Sequence, residues 1–174
     1  RVEDLTELHI PRIREVCKID GKWAIATEFV EGKTLQQLMD ENPKKMDEYL
    51  ELFVDLQIKV HSFTVANLNS QKEKMQRKIS QSALDATARY ELHTRLAALP
   101  THNKVCHGDF NPSNIIIDKK GVPHILDWAH VTAGNASADV ARTYLLFSLA
   151  GKDELAAKYL NLFCEKTDTA RQYV

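Results

Sequence analysis

Residues 104–128 read KVCHGDFNPSNIIIDKKGVPHILDW, and the switch in that stretch from polar loop to β-branched run decides the fold. Lys104 to His107 is a short extended run that opens into a polar loop with Gly108, Asn111 and Pro112. Asn114 to Asp118 is β-branched, Lys119-Lys120-Gly121 is a turn, and Val122 to Asp127 is a second strand, so the segment predicts a β-hairpin. A hairpin brings its outer ends together. Asn114 and Asp127 are therefore expected to face one another, with Asp109 beside them on the approach loop. Two hard oxygen ligands at a strand end suit Mg2+, which fills the rest of its shell with water and phosphate. A third carboxylate, free of the metal, can accept a proton from an attacking hydroxyl. Such a set is the equipment for phosphoryl transfer.

Upstream of the hairpin, Ile13 to Ile19 and Trp23 to Val30 are β-rich runs on either side of Asp20-Gly21, a turn pair, and predict a first hairpin that Glu31-Gly32-Lys33 ends. Thr34 with Gln37 makes a capping box ahead of a short helix, which Asn42-Pro43 stops. Met46, Tyr49, Leu50, Phe53, Leu56 and Val60 recur at helical steps and predict an amphipathic helix ending near His61. A third stripe, from Met75 through Ile79, Ala83, Ala86, Tyr90 and His93 to Leu96, predicts one more helix stopping at Pro100. Downstream, a Gly- and Ala-containing loop precedes a helix over 138–150, closed by Gly151, and a last helix begins with Asp153 as its N-cap and runs to about Lys166.

Composition narrows the class. The 174 residues are about one domain's worth, and 44% hydrophobic with 27% charged residues describes a globular chain. Lys and Arg number 23 against 24 Asp and Glu, a balance that speaks against nucleic-acid and anionic-membrane partners. No run of about 20 apolar residues occurs, and Arg1-Val2-Glu3-Asp4 has no signal-peptide core. The expectation is a soluble, cytoplasmic protein. Cys17, Cys106 and Cys164 are odd in number and far apart, which predicts free thiols acting as small apolar residues. His107, His124, His130 and Cys106 match no common zinc spacing. Asp118 reads as a turn residue, and His61 and His93 take helical positions of the core kind.

The run His107-Gly108-Asp109-Phe110-Asn111-Pro112-Ser113-Asn114 resembles the catalytic loop of the kinase-like fold, His-x-Asp followed five residues later by Asn. Asp127-Trp128 looks like the Asp-Phe-Gly position. Gly after His107, Asn-Pro shortly after Asp109, and Asp-Trp in place of Asp-Phe-Gly are similar to the aminoglycoside phosphotransferase and choline kinase family. Protein kinases carry Arg after the His instead. The segment Ala138-Asp139-Val140-Ala141-Arg142 resembles that family's helix after the metal Asp, and Ala26 to Gly32 its strand and hinge.

The resemblance implies an α+β, mostly α fold: a kinase-like C-terminal lobe with a catalytic β-hairpin and the N-lobe largely absent. Residues 1–32 would be a remnant of N-lobe strands and hinge, and 33–174 the helical C-lobe. It implies an ATP-dependent phosphotransferase that moves the γ-phosphoryl group to a hydroxyl of a small molecule. Asp109 would be catalytic, and Asn114 and Asp127 would hold Mg2+. Glu28, Phe29 and Val30 would meet the adenine, with Ile116 and Ile125 as the floor beneath it. His107 would brace the loop, and Asp139 would hydrogen-bond the loop backbone.

Only 27 residues precede Glu28, whereas five strands and a helix need roughly 60 to 70, and no G-x-G-x-x-G occurs. The chain is therefore expected to be a fragment of a longer enzyme, binding Mg·nucleotide weakly and turning over slowly or not at all. The rival reading is a non-catalytic kinase-like binding module. A metal-dependent phosphoesterase would need more carboxylates than the hairpin supplies. The substrate and the oligomeric state are not legible, although Asp40, Glu41, Asp47, Glu48 and Glu51 are candidates for meeting a cationic acceptor.

Overall fold

The second hairpin forms where its sequence places it. Strands β5 (Ile115–Asp118) and β6 (Pro123–Ile125) pair antiparallel, with Ile115 opposite Ile125 and Ile116 opposite His124. The turn is held by Asp118, whose carboxylate accepts from the Lys120 and Val122 N–H groups. The computed structural model describes residues 2, 5 and 7–174. Arg1, Glu3, Asp4 and Thr6, at the opening of the 1–32 segment and of its signal-peptide reading, lie outside the described residues.

The first hairpin is β1 (Ile13–Ile19) against β2 (Lys22–Thr27), a two-stranded sheet of its own. Its turn takes Asp20 and Gly21 through positive φ, as a two-residue loop requires. Residues 28–31 leave that sheet. β3 (Gly32–Thr34) then joins β5, giving the order β3-β5-β6. Gly32 is compelled there: a Cβ would stand 2.2 Å from the Ile117 carbonyl oxygen. A third small sheet pairs β4 (Lys104–Cys106) with β7 (Thr132–Gly134). β3 and β7 correct the sequence reading, which saw a strand end and a loop.

Helix α1 (Leu35–Glu41) begins with the expected capping box, Thr34 and Gln37 bonding each other's backbone. Helix α2 (Met46–His61) buries Leu50, Phe53, Val54, Gln57 and Val60. The third stripe is two helices and not one: α3 (Gln71–Gln81) and α4 (Ala86–Ala98). Ser82 turns to extended backbone, and the Asp85 carboxylate caps the Ala88 N–H, starting a new helix in the middle of an unbroken apolar period. Helix α5 (Ala136–Leu149) starts two residues earlier than expected, capped by Asn135, and α6 (Asp153–Thr167) includes Asp153 as its first residue, not its cap. Among the described residues no helix is long and apolar enough to cross a membrane.

The core lies between α2, α5 and α6. Phe53 is its hub, its ring centroid 4.9 Å from Phe110 and 5.6 Å from Tyr159. The Tyr159 hydroxyl donates to buried Gln57, satisfying its own polar end inside the core. Phe110 belongs to the loop between β4 and β5, so the same aromatic packing that closes the core also anchors that loop.

Candidate active site

The loop from His107 to Asn114 is fixed from below and from both sides. Phe110 is buried, and its carbonyl accepts from the Thr143 hydroxyl at 2.7 Å. Asp139, at the start of α5, points into the loop. One carboxylate oxygen takes the Gly108 N–H at 2.7 Å; the other takes the His107 N–H at 3.2 Å and faces His61 Nε2 at 3.0 Å. Burial alone would raise the Asp139 pKa, but the hydrogen bonds from His61 and Gly108 outweigh it and hold the group below the usual carboxylate value. The loop-backbone role expected of Asp139 is the one its contacts show.

His107 is fully buried. Burial lowers its pKa and keeps the ring neutral. The ring can then donate from Nε2 to the Leu126 carbonyl at 2.9 Å and accept the Asp109 N–H on Nδ1 at 3.3 Å. Its ring packs on Trp128 at 4.7 Å. His107 braces the loop against the end of β6, as expected. Gly108 sits at φ +80°, and a Cβ there would stand 2.5 Å from the His130 carbonyl, so both backbone and space demand glycine.

These anchors leave Asp109 half-buried, with its carboxylate shared among three donors. Arg142 reaches one oxygen at 3.1 Å; Asn111 and Asn114 donate to the other at 3.3 and 3.2 Å. The Arg142 contact was not expected from sequence. The Asp-x-x-Arg step on one helix face was its available signal, since residues three apart are neighbours on a helix.

The two ends of the hairpin do meet. The Leu126 N–H donates to the Asn114 carbonyl at 2.8 Å. Both candidate metal ligands lie just outside the strands, Asn114 in a single 3₁₀ turn (Pro112–Asn114) and Asp127 two residues past β6. Asn114 spends its amide nitrogen on Asp109, and among the described residues its Oδ1 has no hydrogen-bond partner. Asp127 has φ 55° and ψ 62°, left-handed backbone. Its side chain is exposed, and among the described residues its one hydrogen bond is from the Ala129 N–H to Oδ1 at 3.4 Å. Two available hard oxygens beside a loop carboxylate fit Mg2+ completed by water and phosphate. Among the described residues no group of three or more His, Cys, Asp or Glu could hold a metal.

Residues 28–30, expected to be the hinge, help line a cleft of about 560 Å³ together with residues 8–12, Glu31, Asp118 and His124. The Glu28 N–H already donates to the Arg12 carbonyl at 2.9 Å, so it is not available to a molecule in this cleft. The pleat separates the two floor isoleucines. Ile125 pairs with Ile115 in the core at 1% exposure, whereas Ile116 lies on the other face with its partner His124. Ile125 is thus placed under the sheet and Ile116 on the face it shares with His124.

Cys17, Cys106 and Cys164 are free thiols. Burial pushes the Cys106 thiol far up, so it stays protonated.

The family model for the phosphotransferase enzyme family matches residues 3–173. No curated protein matches by sequence. Among solved structures, a thermostable mutant of aminoglycoside phosphotransferase APH(4)-Ia in its apo form superposes with a TM-score of 0.70 at 15% identity, over 95% of this chain and 65% of that one. A ternary complex of the same enzyme with ADP and hygromycin B gives 0.69 at 14% identity, with the same coverage. Choline kinase LicA from Streptococcus pneumoniae gives 0.57 at 16% identity, over 93% of this chain and 58% of that one. The fold is therefore α+β of the aminoglycoside phosphotransferase kind, and the chain spans less than two-thirds of the length of these relatives.

Proposed function

Since the chain belongs to the phosphotransferase enzyme family, we propose that it carries the catalytic part of an ATP-dependent small-molecule kinase. On this reading residues 33–174 are the helical C-lobe and 1–32 the strands and hinge of the other lobe. The supporting observation is the convergence on Asp109: a carboxylate held by Arg142, Asn111 and Asn114, beside a strand end that presents Asn114 Oδ1 and Asp127.

The chemistry follows from the groups present. Asp109 orients the acceptor hydroxyl and takes its proton. The hydroxyl oxygen bonds to the γ-phosphorus while the bond from that phosphorus to the β–γ bridging oxygen breaks, and ADP leaves. Mg2+, held by Asn114 and Asp127 when bound, supplies charge neutralisation on the phosphates. Adenine fits the cleft between residues 28–30 and the Ile116–His124 face, with the Glu28 carbonyl and the Val30 N–H as its backbone partners. The 174 residues contain no glycine-rich phosphate loop, and by themselves they are expected to turn over little.

The test is Mg·ATP-dependent ADP release by the full-length protein against alcohols, amino alcohols, sugars and aminoglycosides. Release stimulated by an acceptor, and reduced at least about 100-fold in Asp109→Asn with nucleotide binding retained, is the expected result. No release and no nucleotide binding would favour the binding-module reading.

A further inference from the structure

A second, smaller cavity, of about 150 Å³, lies against Gly108, the residue before Asp109. Asp139 also lines it, α3 contributes Lys74 and Lys78, and α5 contributes Arg142. Arg142 is the residue that grips Asp109 at 3.1 Å, so a molecule in this cavity is within reach of the candidate base.

Three cations line this cavity against a single carboxylate. Several lysines elsewhere are paired with carboxylates, among them Lys33 with Glu41, Lys158 with Asp47, and Lys166 with Glu51 and Asp55. Lys74 meets only the His130 carbonyl, at 3.2 Å, and Lys78 has no hydrogen-bond or ion-pair partner among the described residues. The one carboxylate in the wall, Asp139, is buried and already spent on the loop backbone and His61. Burial lowers the Lys74 pKa, and the neighbouring cations Lys78, Arg142 and Arg77 lower it further against the opposing effect of Asp139. Of the acidic residues expected to meet a cation, Glu41, Asp47 and Glu51 lie on α1 and α2, paired with lysines and outside this cavity.

Resting on the kinase reading above, we infer that the acceptor is an anionic alcohol, with a carboxylate or phosphate group seated between Lys74, Lys78 and Arg142. An aminoglycoside or a quaternary amino alcohol would bring positive charge against three cations. An anion instead supplies the counter-charge the cavity lacks. It also competes with Asp109 for the Arg142 guanidinium, and Asp109 Oδ1, once released, is free to take the hydroxyl proton.

The experiment compares acceptors of one skeleton in the full-length protein: glycerol, D-glycerate, glycerol 3-phosphate and 3-amino-1,2-propanediol, with hygromycin B as a polycation. Binding is read by calorimetry and turnover by ADP release. D-glycerate or glycerol 3-phosphate should exceed glycerol and the amine by about tenfold or more in affinity or kcat/KM, whichever anion leads naming the headgroup. Added salt should narrow the gap, since charges are screened beyond about 10 Å. Lys78→Glu should erase the preference. Lys44→Glu, the same charge change at an exposed lysine outside the cavity, should keep it. Preference for the amine or hygromycin B, or no charge preference at all, overturns the inference and leaves the kinase reading standing if Mg·ATP still binds. Absence of nucleotide binding overturns both.

Discussion

Asp139 shows how much of this site depends on one buried carboxylate. It receives both N–H groups at the start of the loop and faces His61, so Asp139→Ala would strand buried donors that have no other acceptor. A loss of about 3–5 kcal/mol is expected, read as a lower denaturation midpoint, and a loss under 1 kcal/mol would show that the loop holds itself. Two titrations should shape stability against pH. His107 has a pKa held below 6.5 in the fold, so the unfolded chain takes up a proton first, and stability declines as pH falls below 6.5. Asp139 has a pKa held below 3.8. Its contribution is complete above 3.8 and is lost as pH falls through the lower folded value. The upper decline, at most about 1.4 kcal/mol per pH unit for one proton, should vanish from urea titrations of His107→Asn. If the variant keeps it, the proton belongs to another group.

Among the elements, those set by neighbours in sequence were legible and those set by distant partners were not. The Thr34 capping box, the two hairpin turns and α2 all follow from residues within a few positions of one another. β3 and β7 are three residues each, and only pairing with β5 and β4 makes them strands. The α3–α4 break escaped because the apolar stripe continues in phase from Ile79 through Ala86, while the decisive signal was Asp85 as a cap. Asp85→Ala should therefore cost about 1 kcal/mol, with the loss confined to α4 in amide exchange. Protection lost equally through α3 would mean that the two behave as one helix. In the site, the spacing from His107 to Asn114 and the return to Asp127 were readable because a short loop and a hairpin join them. Lys74 was not, since its contact with His130 spans 56 positions.

At the scale of the molecule, the β1–β2 sheet stands apart from the helical body. Val16, Ile19, Trp23 and Ile25 are exposed along it, and a lone two-stranded sheet contributes little stability of its own. The cleft of about 560 Å³ lies at its root, lined by residues 8–12 and 28–31, which flank the sheet in sequence, and by Asp118 and His124 of the second hairpin. A nucleotide filling that cleft would tie the segments at the sheet's root to the second hairpin, and its binding energy would appear as folding stability. At 100 times Kd, Mg·ATP adds about 2.7 kcal/mol, or roughly 5–10 °C in the Tm of a domain this size. The metal's share should depend on Asp127, the exposed carboxylate at the hairpin's end. Asp127→Asn keeps a side chain that tolerates left-handed backbone and removes the charge. It should leave the Tm without ligand within about 2 °C, since exposed sites away from buried networks change stability by at most about 0.5 kcal/mol. With Mg·ATP the rise should shrink to that seen for ATP with EDTA. A rise indifferent to both EDTA and Asp127→Asn would place the nucleotide elsewhere than beside this hairpin, and with it the reaction.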